Sequence, residues 1–232
     1  MVNSRFSEDN IIFNIPSTSL RINGSDDFFP VGRVFCIGTN YLKHSEEMGS
    51  SLSTEPTFFI KPHHSICQIN NILLPGDSIN IHHEVELVVC LKSGGKNIQI
   101  QDAKKSIYGY AVGLDLTKRD IQKNLKENKK PWELSKVFDN SAPISSIQKL
   151  ENKLIKNKNI SLKVNGSIKQ DANIDEMIHG IDYLISYLSR CTTLYSGDLI
   201  FTGTPAGVSQ IKSGDSLEAE VESIGNLTLN IN

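Results

Sequence analysis

Two glutamates stand in the middle of a short segment that is typical of a β-strand. Residues 82–89 read HHEVELVV, and side chains alternate between the two faces of a strand, so Glu84 and Glu86 are predicted to share one face. Two carboxylates about 7 Å apart on one face repel each other unless a positive charge lies between them. Mg²⁺, Mn²⁺ or Ca²⁺, which prefer oxygen ligands, would supply this charge better than zinc. The alternative is an exposed strand that carries two solvated acids.

A third acid follows another apolar segment. Asp115 comes directly after residues 110–114 (YAVGL), where a buried acid without a partner would be costly. Two glutamates and water alone would bind Mg²⁺ weakly, so Asp115 is the candidate for a third oxygen ligand. A salt bridge to Arg119, one helical turn further on, is the alternative.

A histidine and a carboxylate share one face of a predicted short helix. His44 and Glu47 are three positions apart, so their side chains are neighbours on such a helix. Histidine can act as a general base near neutral pH while a carboxylate fixes its tautomer. Such a pair also occurs as a simple surface contact. Lys136 is a candidate for a fixed positive charge near a developing oxyanion, although lysines flank many loops.

A turn near the C-terminus is rich in small residues. Residues 202–208 (TGTPAGV) offer two hydroxyl groups and free backbone N–H groups, which are suited to holding a carboxylate. The turn lacks the Gly-Lys-Ser/Thr ending of a nucleotide-phosphate loop, so ATP binding is not predicted. The alternative is a tight turn between strands. The chain also has no Gly-x-Ser-x-Gly motif, which argues against a serine hydrolase.

The overall composition excludes several classes of partner. The chain has 232 residues and a formal charge of -2, so neither nucleic acid nor an anionic membrane is expected as a partner. Four cysteines without CxxC spacing indicate reduced thiols; they are Cys36, Cys67, Cys90 and Cys191. No basic leader precedes an apolar stretch, and no apolar run is long enough to span a bilayer. We therefore expect a cytoplasmic protein without a membrane partner.

Short strands and a few helices must position these residues. Besides the glutamate strand, strands are predicted at residues 31–37, 56–61, 108–116, 198–202, 214–221 and 226–231. A short helix is predicted from the N-cap Asn40 to Gly49, with further helical segments at 98–107 and 117–130. Asn173 and Glu176 resemble a capping box that opens a helix through Leu188. Residues 136–143 are predicted as a loop or strand entry, and residues 151–159 as a solvated excursion.

This arrangement of elements predicts an α+β fold rather than an alternating parallel sheet. No composition break divides the main part of the chain, which favours one domain over residues 31–232. Residues 1–30 are polar with short apolar pieces, and they are predicted to form an N-terminal arm or hairpin.

Taken in order, several segments resemble the motifs of the fumarylacetoacetate hydrolase family. These are residues 38–41 (GTNY) with His44 and Glu47, 59–62 (FIKP), 83–87 (HEVEL), 109–110 and 115–122 (GY and DLTKRDIQ), 136–139 (KVFD) and 197–208 (GDLIFTGTPAGV). The resemblance runs from about Val31 to the C-terminus. Thr39 stands where an arginine is common in the family, and residues 1–30 match no motif of it.

The resemblance implies a β-rich roll of mixed sheets with a few peripheral helices, usually a homodimer. It also implies Mg²⁺ or Mn²⁺ held by Glu84, Glu86 and Asp115, with Ca²⁺ as a substitute. His44 and Glu47 would activate a water on a lid that orders over the substrate. Further roles implied by the resemblance are contacts to substrate oxygens from Lys136, Gln122 and Thr204, and a structural or substrate-side charge from Arg119.

The implied activity is metal-dependent hydrolysis of C–C bonds in 2,4-dioxo acids, with oxaloacetate decarboxylation as a related activity. A 2-oxo acid can chelate a divalent cation, and the cation then stabilises the enolate that forms when the neighbouring bond breaks. Two alternatives stay open. One is an isomerase or tautomerase of related oxo acids, such as a 5-carboxymethyl-2-hydroxymuconate isomerase or an oxaloacetate tautomerase. The other is a non-catalytic protein that binds a small oxo acid or only dimerises.

Overall fold

The computed structural model describes residues 12–49 and 54–232. The strands up to residue 114 are β1 (Ser19–Arg21), β2 (Phe28–Pro30), β3 (Val34–Ile37), β4 (Phe58–Lys61), β5 (Ile66–Cys67), β6 (Asn71–Ile72), β7 (Ile81–His82), β8 (Val85–Leu91) and β9 (Ile107–Leu114). The later strands are β10 (Thr117–Lys118), β11 (Ala142–Pro143), β12 (Gln148–Lys149), β13 (Asn159–Val164), β14 (Ser167–Asn173), β15 (Leu199–Phe201), β16 (Gln210–Ile211), β17 (Ser216–Val221) and β18 (Gly225–Ile231).

Few helices accompany these strands. The α-helices are α1 (Leu42–Glu47), α2 (Arg119–Glu127), α3 (Glu133–Lys136) and α4 (Ile181–Cys191), and 3₁₀ helices cover His63–Ser65, Ile100–Ser106 and Ile174–Glu176. Mixed sheets with few helices confirm the predicted α+β class. Within the described ranges, no helix is long and apolar enough to cross a membrane.

Two larger sheets dominate the fold. The first has six strands in the order β12-β9-β8-β15-β3-β4, and the second has five in the order β14-β13-β17-β18-β6. Strand β8 lies inside the first sheet, where it pairs antiparallel with both β9 and β15. A central strand of this kind has no solvent-facing edge, so polar side chains on it need partners within the protein.

Strand β8 is buried on both faces. Val85, Leu87 and their alternating neighbours belong to the larger hydrophobic cluster. Val88 and Cys90, on the other face, belong to a second cluster. The predicted alternation is therefore confirmed, and the alternative of an exposed strand with solvated acids is wrong.

The N-terminal region contains a short hairpin. Strands β1 and β2 pair antiparallel, and the buried side chains of Leu20 and Phe29 pack in the second hydrophobic cluster together with Val34. Residues 1–11 of the predicted arm lie outside the described residues. The hairpin thus packs against β3. The predicted boundary between an N-terminal arm and a domain that starts at residue 31 stays a prediction.

Two predicted helix starts differ from the structure. Asn40 does not cap α1; its side chain instead donates hydrogen bonds to the carbonyls of Thr202 (2.8 Å) and His179 (3.0 Å). The capping box of Asn173 and Glu176 is present, but it opens only a 3₁₀ turn. Helix α4 begins later, after Gly180, because the chain is extended at Met177.

The structure also contains elements that the sequence analysis did not predict. The hairpin of β13 and β14 was not predicted, although its Asn165-Gly166 turn between alternating apolar residues is a strong hairpin signal. Residues 133–136 form α3, of which only Lys136 belongs to the segment predicted as a loop or strand entry. All four cysteines are free thiols; Cys36 and Cys90 are buried, Cys67 is partly buried, and Cys191 is exposed.

Candidate active site

The three predicted acids meet because β8 and β9 run antiparallel. Glu84 immediately precedes β8 and Asp115 immediately follows β9, so the start of one strand lies beside the end of the other. The backbone N–H of Asp115 donates to the carbonyl of Glu84 (2.9 Å). Carboxylate oxygens of Glu84, Glu86 and Asp115 lie within 4.8 Å of one another, and all three residues are buried. We call these three residues the acidic triad.

Buried cations surround the acidic triad. The ammonium of Lys136 donates to Glu84 Oε2 (2.8 Å), Asp115 Oδ2 (2.7 Å) and Thr117 Oγ1 (2.6 Å). Arg119 forms a salt bridge with the other oxygen of Glu84. All three N–H donors of Lys136 are thus engaged, and a contact to a substrate oxygen requires the exchange of one of them. Arg119 pairs with Glu84 rather than with Asp115, so the predicted alternative partner of Asp115 is wrong.

Lys61 is a site residue to which the sequence analysis gave no role. It is fully buried, and its Nζ lies 3.0 Å from Asp115 Oδ1. The same ammonium donates to the hydroxyl (3.0 Å) and carbonyl (3.2 Å) of Ser141. Its signal was the lysine within the FIKP segment, at the end of a strand that is otherwise apolar.

The charges of the acidic triad are unequally compensated. Burial opposes ionisation of Glu84, but Lys136 and Arg119 outweigh it and hold the pKa of Glu84 well below its usual range. Burial, Asp115 and Glu84 instead raise the pKa of Glu86 well above its usual range. Burial lowers the pKa of Lys136, but Asp115 and Glu84 outweigh this effect, so its pKa is raised. Of the three carboxylates, Glu86 is therefore the one whose ionised form an added cation would stabilise most.

The donor set of the acidic triad fits a divalent ion. Three convergent carboxylates are the hard oxygen ligands that Mg²⁺ and Mn²⁺ prefer. Asp115 Oδ1 is buried and accepts no hydrogen bond, because its contact with Lys61 is an ion pair without hydrogen-bond alignment. Asp115 Oδ1 therefore has a free hydrogen-bonding capacity next to the poorly compensated Glu86. This arrangement is consistent with a set of metal ligands.

His44 and Glu47 form the predicted pair on α1. His44 Nδ1 lies 3.0 Å from Glu47 Oε2, and His44 is buried. A carboxylate accepts hydrogen bonds, so Nδ1 carries the proton in this contact and Nε2 is the nitrogen that remains for proton transfer. Glu47 also accepts from the backbone N–H of Gly207 (3.2 Å). The buried His44 is thus paired with an exposed carboxylate that the C-terminal turn also contacts.

The turn at residues 202–208 holds carboxylates, as its composition predicts, but they belong to the protein. Gly203 N–H donates to Glu86 Oε2 (2.7 Å), and Gly207 N–H donates to Glu47. Both glycines have positive φ, +96° and +101°. A Cβ at Gly203 would lie 2.6 Å from Asn40 Cβ, and one at Gly207 would lie 1.9 Å from the carbonyl oxygen of Lys169. Only glycine fits at these two positions.

Gln170 is a second buried residue that the sequence analysis missed. Its Oε1 accepts from the backbone N–H of Val85 (3.1 Å) and lies 2.9 Å from His83 Nδ1. Its Nε2 donates to Thr204 Oγ1 (2.7 Å) and to the carbonyl of Pro205 (2.8 Å). Gln170 thus ties the start of β8 to the C-terminal turn. Recognition of the Asn165-Gly166 hairpin would have placed it on a strand.

A cavity of about 400 Å³ opens beside the acidic triad. Its lining residues include His44, Glu84, Arg119, Gln122, Lys126, Trp132 and Lys136. Gln122 Oε1 accepts from Arg119 (2.7 Å), and in the described part of the chain its Nε2 donates to no residue. Thr204, in contrast, is buried against Gln170 and does not line the cavity. The structure thus brings His44, Lys136, Gln122 and Arg119 to one cavity. Thr204 is buried outside the lining of this cavity.

Several known proteins are similar to this chain in sequence and fold. The family described as fumarylacetoacetate (FAA) hydrolase, C-terminal, matches residues 33–232. The chain is 43% identical over 192 residues to oxaloacetate tautomerase YcgM of Escherichia coli, covering 82% of this chain and 88% of that protein. It is 39% identical over 198 residues to a mitochondrial oxaloacetate decarboxylase of Dictyostelium discoideum, covering 84% and 91%.

A solved structure is also similar. Fumarylpyruvate hydrolase from Pseudomonas aeruginosa, in complex with Mn²⁺ and pyruvate, aligns with a TM-score of 0.92 and 38% identity, over 96% of this chain and 99% of that one. With the ordered motifs, the sheets and the acidic triad in place, this chain belongs to the fumarylacetoacetate hydrolase family.

Proposed function

We propose that this protein is a Mg²⁺- or Mn²⁺-dependent enzyme that hydrolyses a C–C bond in 2,4-dioxo acids. The observation that carries the proposal is the buried acidic triad, whose Glu84 lines the same cavity as His44. The fumarylpyruvate hydrolase with Mn²⁺ and pyruvate supports both the metal and the oxo-acid class of ligand.

The proposed reaction consumes one water. The water oxygen forms a bond to the acyl carbonyl, and the bond between C3 and C4 of the substrate breaks. Its electron pair stays on the pyruvyl part, which takes up a proton and leaves as pyruvate beside the free acid. His44, held by Glu47, removes the proton from the attacking water.

Charge supports a 2-oxo carboxylate as the ligand of this site. Glu84, Glu86 and Asp115 would hold the metal ion, which when bound would polarise the 2-oxo carboxylate and stabilise negative charge on it. Lys61, Lys136 and Arg119 equal the three acids in number, although they pair only with Glu84 and Asp115. A divalent ion would leave the site positively charged, and a carboxylate substrate reduces that charge. Gln122 and Arg119 then orient the substrate from the wall of the cavity.

Turnover of acetylpyruvate tests the proposal. With Mn²⁺ or Mg²⁺ present, we expect NMR to show acetate and pyruvate in equal amounts. In excess EDTA we expect neither product. His44→Asn should lower kcat by about 10²- to 10⁴-fold because it removes the general base. Lys123→Met, an exposed change on α2, should leave the rate unchanged. Full turnover in EDTA contradicts the metal role, and inertness toward acetylpyruvate and oxaloacetate supports a non-catalytic binding protein.

Oxaloacetate tautomerisation is the second candidate. The 43% identity to an oxaloacetate tautomerase favours it, and the pair of His44 and Glu47 can move a proton between C3 and the 2-oxygen of oxaloacetate. Decarboxylation of oxaloacetate needs the same stabilised charge without attack by water. NMR of the products separates these activities: keto–enol exchange without loss of carbon indicates tautomerisation, and pyruvate with CO₂ indicates decarboxylation.

A further inference from the structure

One face of α2 forms a wall of the cavity. Arg119, Gln122 and Lys126 follow one another at spacings of three and four residues, so their side chains share a face of the helix. Arg119 contacts Glu84, at the acidic triad. Seven residues of helix separate Arg119 from Lys126, which places Lys126 about 10 Å further along the helix axis. Among the residues of α2 that line the cavity, Lys126 is therefore the one furthest along the helix from Arg119.

Lys126 differs from the other cations of the cavity in its partners. Arg119 and Lys136 are both paired with Glu84. For Lys126, in contrast, no carboxylate partner occurs among residues 12–49 and 54–232. Its ammonium lies over the ring of Trp132, 5.1 Å from the ring centroid. The ring restricts the position of the ammonium but does not neutralise its charge.

The surroundings of Lys126 favour an added anion. Partial burial, Arg119 and Lys136 lower the pKa of Lys126, and the opposing effect of Glu84 is smaller. A nearby lysine on the same helix provides a contrast. Lys123, like Lys126, is exposed, but it lies 4.0 Å from Glu127 and does not line the cavity. An anion bound beside Lys126 would relieve the repulsion that Lys126 experiences.

We propose that Lys126 is a specificity-determining residue that binds a second carboxylate, at the end of the substrate remote from its 2-oxo acid group. This inference rests on the proposed function for the placement of the 2-oxo acid group at the acidic triad. The preferred substrates are therefore dicarboxylic oxo acids. The ring of Trp132, which lines the cavity beside the Lys126 ammonium, limits the groups that can lie there.

Binding measurements test the role of Lys126 without turnover. Trp132 is the only tryptophan of the chain, so its fluorescence reports ligands in the cavity. With Mg²⁺ present, we titrate pyruvate and 2-oxoglutarate, which share the 2-oxo acid group but differ in the second carboxylate. The wild-type protein should bind 2-oxoglutarate more tightly. Lys126→Met should reduce the ratio of the two affinities about tenfold, the value of one lost charge-assisted contact.

Two further variants serve as controls. Lys126→Arg keeps the positive charge and should retain most of the preference, whereas Lys123→Met should leave the ratio unchanged. An unchanged ratio in Lys126→Met, or an equal loss of affinity for both ligands, overturns the proposal. If the preference depends on Lys126 but the protein turns over neither acetylpyruvate nor oxaloacetate, the charge-selective subsite stands and the proposed function fails.

Discussion

Glu86 is the carboxylate of the acidic triad with the fewest compensating contacts. Glu84 and Asp115 each pair with two cations, whereas Glu86 receives a backbone hydrogen bond from Gly203. Its raised pKa, caused by burial and the two neighbouring acids, reflects the cost of a third negative charge among these buried carboxylates. A buried acid that is poorly compensated by the protein is a ligand for an added cation.

Glu86→Gln should therefore remove metal binding without unfolding the protein. The amide keeps an acceptor for Gly203 and removes a costly charge, so stability in EDTA should fall by no more than about 1 kcal/mol. Mn²⁺ at about 100 times its Kd should raise the Tm of the wild-type protein by roughly 5 to 10 °C, and that of the variant by much less. Glu220→Gln, on an exposed face of β17, is the control. An equal Mn²⁺-induced shift in Glu86→Gln would count against the acidic triad as the metal site.

At the scale of elements, the turn after β15 joins α1 to β8. Its two glycine N–H groups hold Glu86 of β8 and Glu47 of α1. Gln170 of β14 fixes the same turn through Thr204 and Pro205. A single turn thus positions both Glu86 of β8 and the proposed general base, and a shift of that turn should affect both.

Gly207→Ala should lower both stability and turnover. The added Cβ would meet the carbonyl of Lys169 at 1.9 Å, so the turn must move away from Glu47. We expect a loss of about 3 kcal/mol in the free energy of unfolding, measured in urea, and a lower kcat in the remaining folded protein. Gly214→Ala is a matched control, since Gly214 also has a positive φ, +93°, but lies in open space. It should cost only about 1 kcal/mol and leave kcat unchanged; equal effects of the two changes would refute the steric argument.

Asp120 stabilises the start of α2, the helix that presents Arg119 and Gln122. It accepts hydrogen bonds from Ser78 Oγ (2.6 Å) and from the N–H groups of Ile79 (3.0 Å) and Ile121 (2.9 Å). Slight burial opposes ionisation, but these hydrogen bonds outweigh it and lower the pKa of Asp120. A lowered pKa in the folded state gives stability above the unfolded pKa, near 4, that is lost as the pH falls through the folded pKa.

Asp120→Asn should therefore destabilise the protein at pH 7 and less so in acid. We expect about 0.5 to 1 kcal/mol at pH 7, from the lost charge at the helix start, with a deficit that shrinks below about pH 4. Urea unfolding of both proteins across this range measures the difference. In a Ser78→Ala background the pH dependence of the difference should be weaker. A deficit that grows on acidification has the wrong sign for this mechanism.

At the scale of the whole molecule, the site draws on both large sheets. The acidic triad lies on the six-stranded sheet, and Gln170 comes from β14 at the edge of the five-stranded sheet. Because both sheets contribute side chains to one constellation, we propose that residues 31–232 form a single domain. The resemblance to the family adds a homodimer as a prediction.

Sedimentation velocity at micromolar concentration checks the assembly. We expect a species of twice 25.7 kDa. Weak association would instead give a mass that falls on dilution. A single species of 25.7 kDa across the range would contradict the homodimer, while leaving the site proposals intact because every residue in them comes from one chain.

The sequence by itself determined the residue types of the site, the alternation of β8 and the order of the family motifs. It could not distinguish two similar pairs of glutamates. Glu84 and Glu86 flank one residue, as do Glu218 and Glu220, but the second pair lies on the exposed face of β17. Only the tertiary structure placed the first pair on a strand buried on both faces, next to the end of β9.

The tertiary structure also decided which residues support the site. Lys61 and Gln170 come from segments other than those that carry the acidic triad, and Lys126 was given no role from its sequence context. Their roles arise when strands and helices from distant segments pack together. Residue type and spacing determine which chemistry is available. Burial and long-range pairing determine which charges remain uncompensated, and those charges decide where a cation or a carboxylate binds.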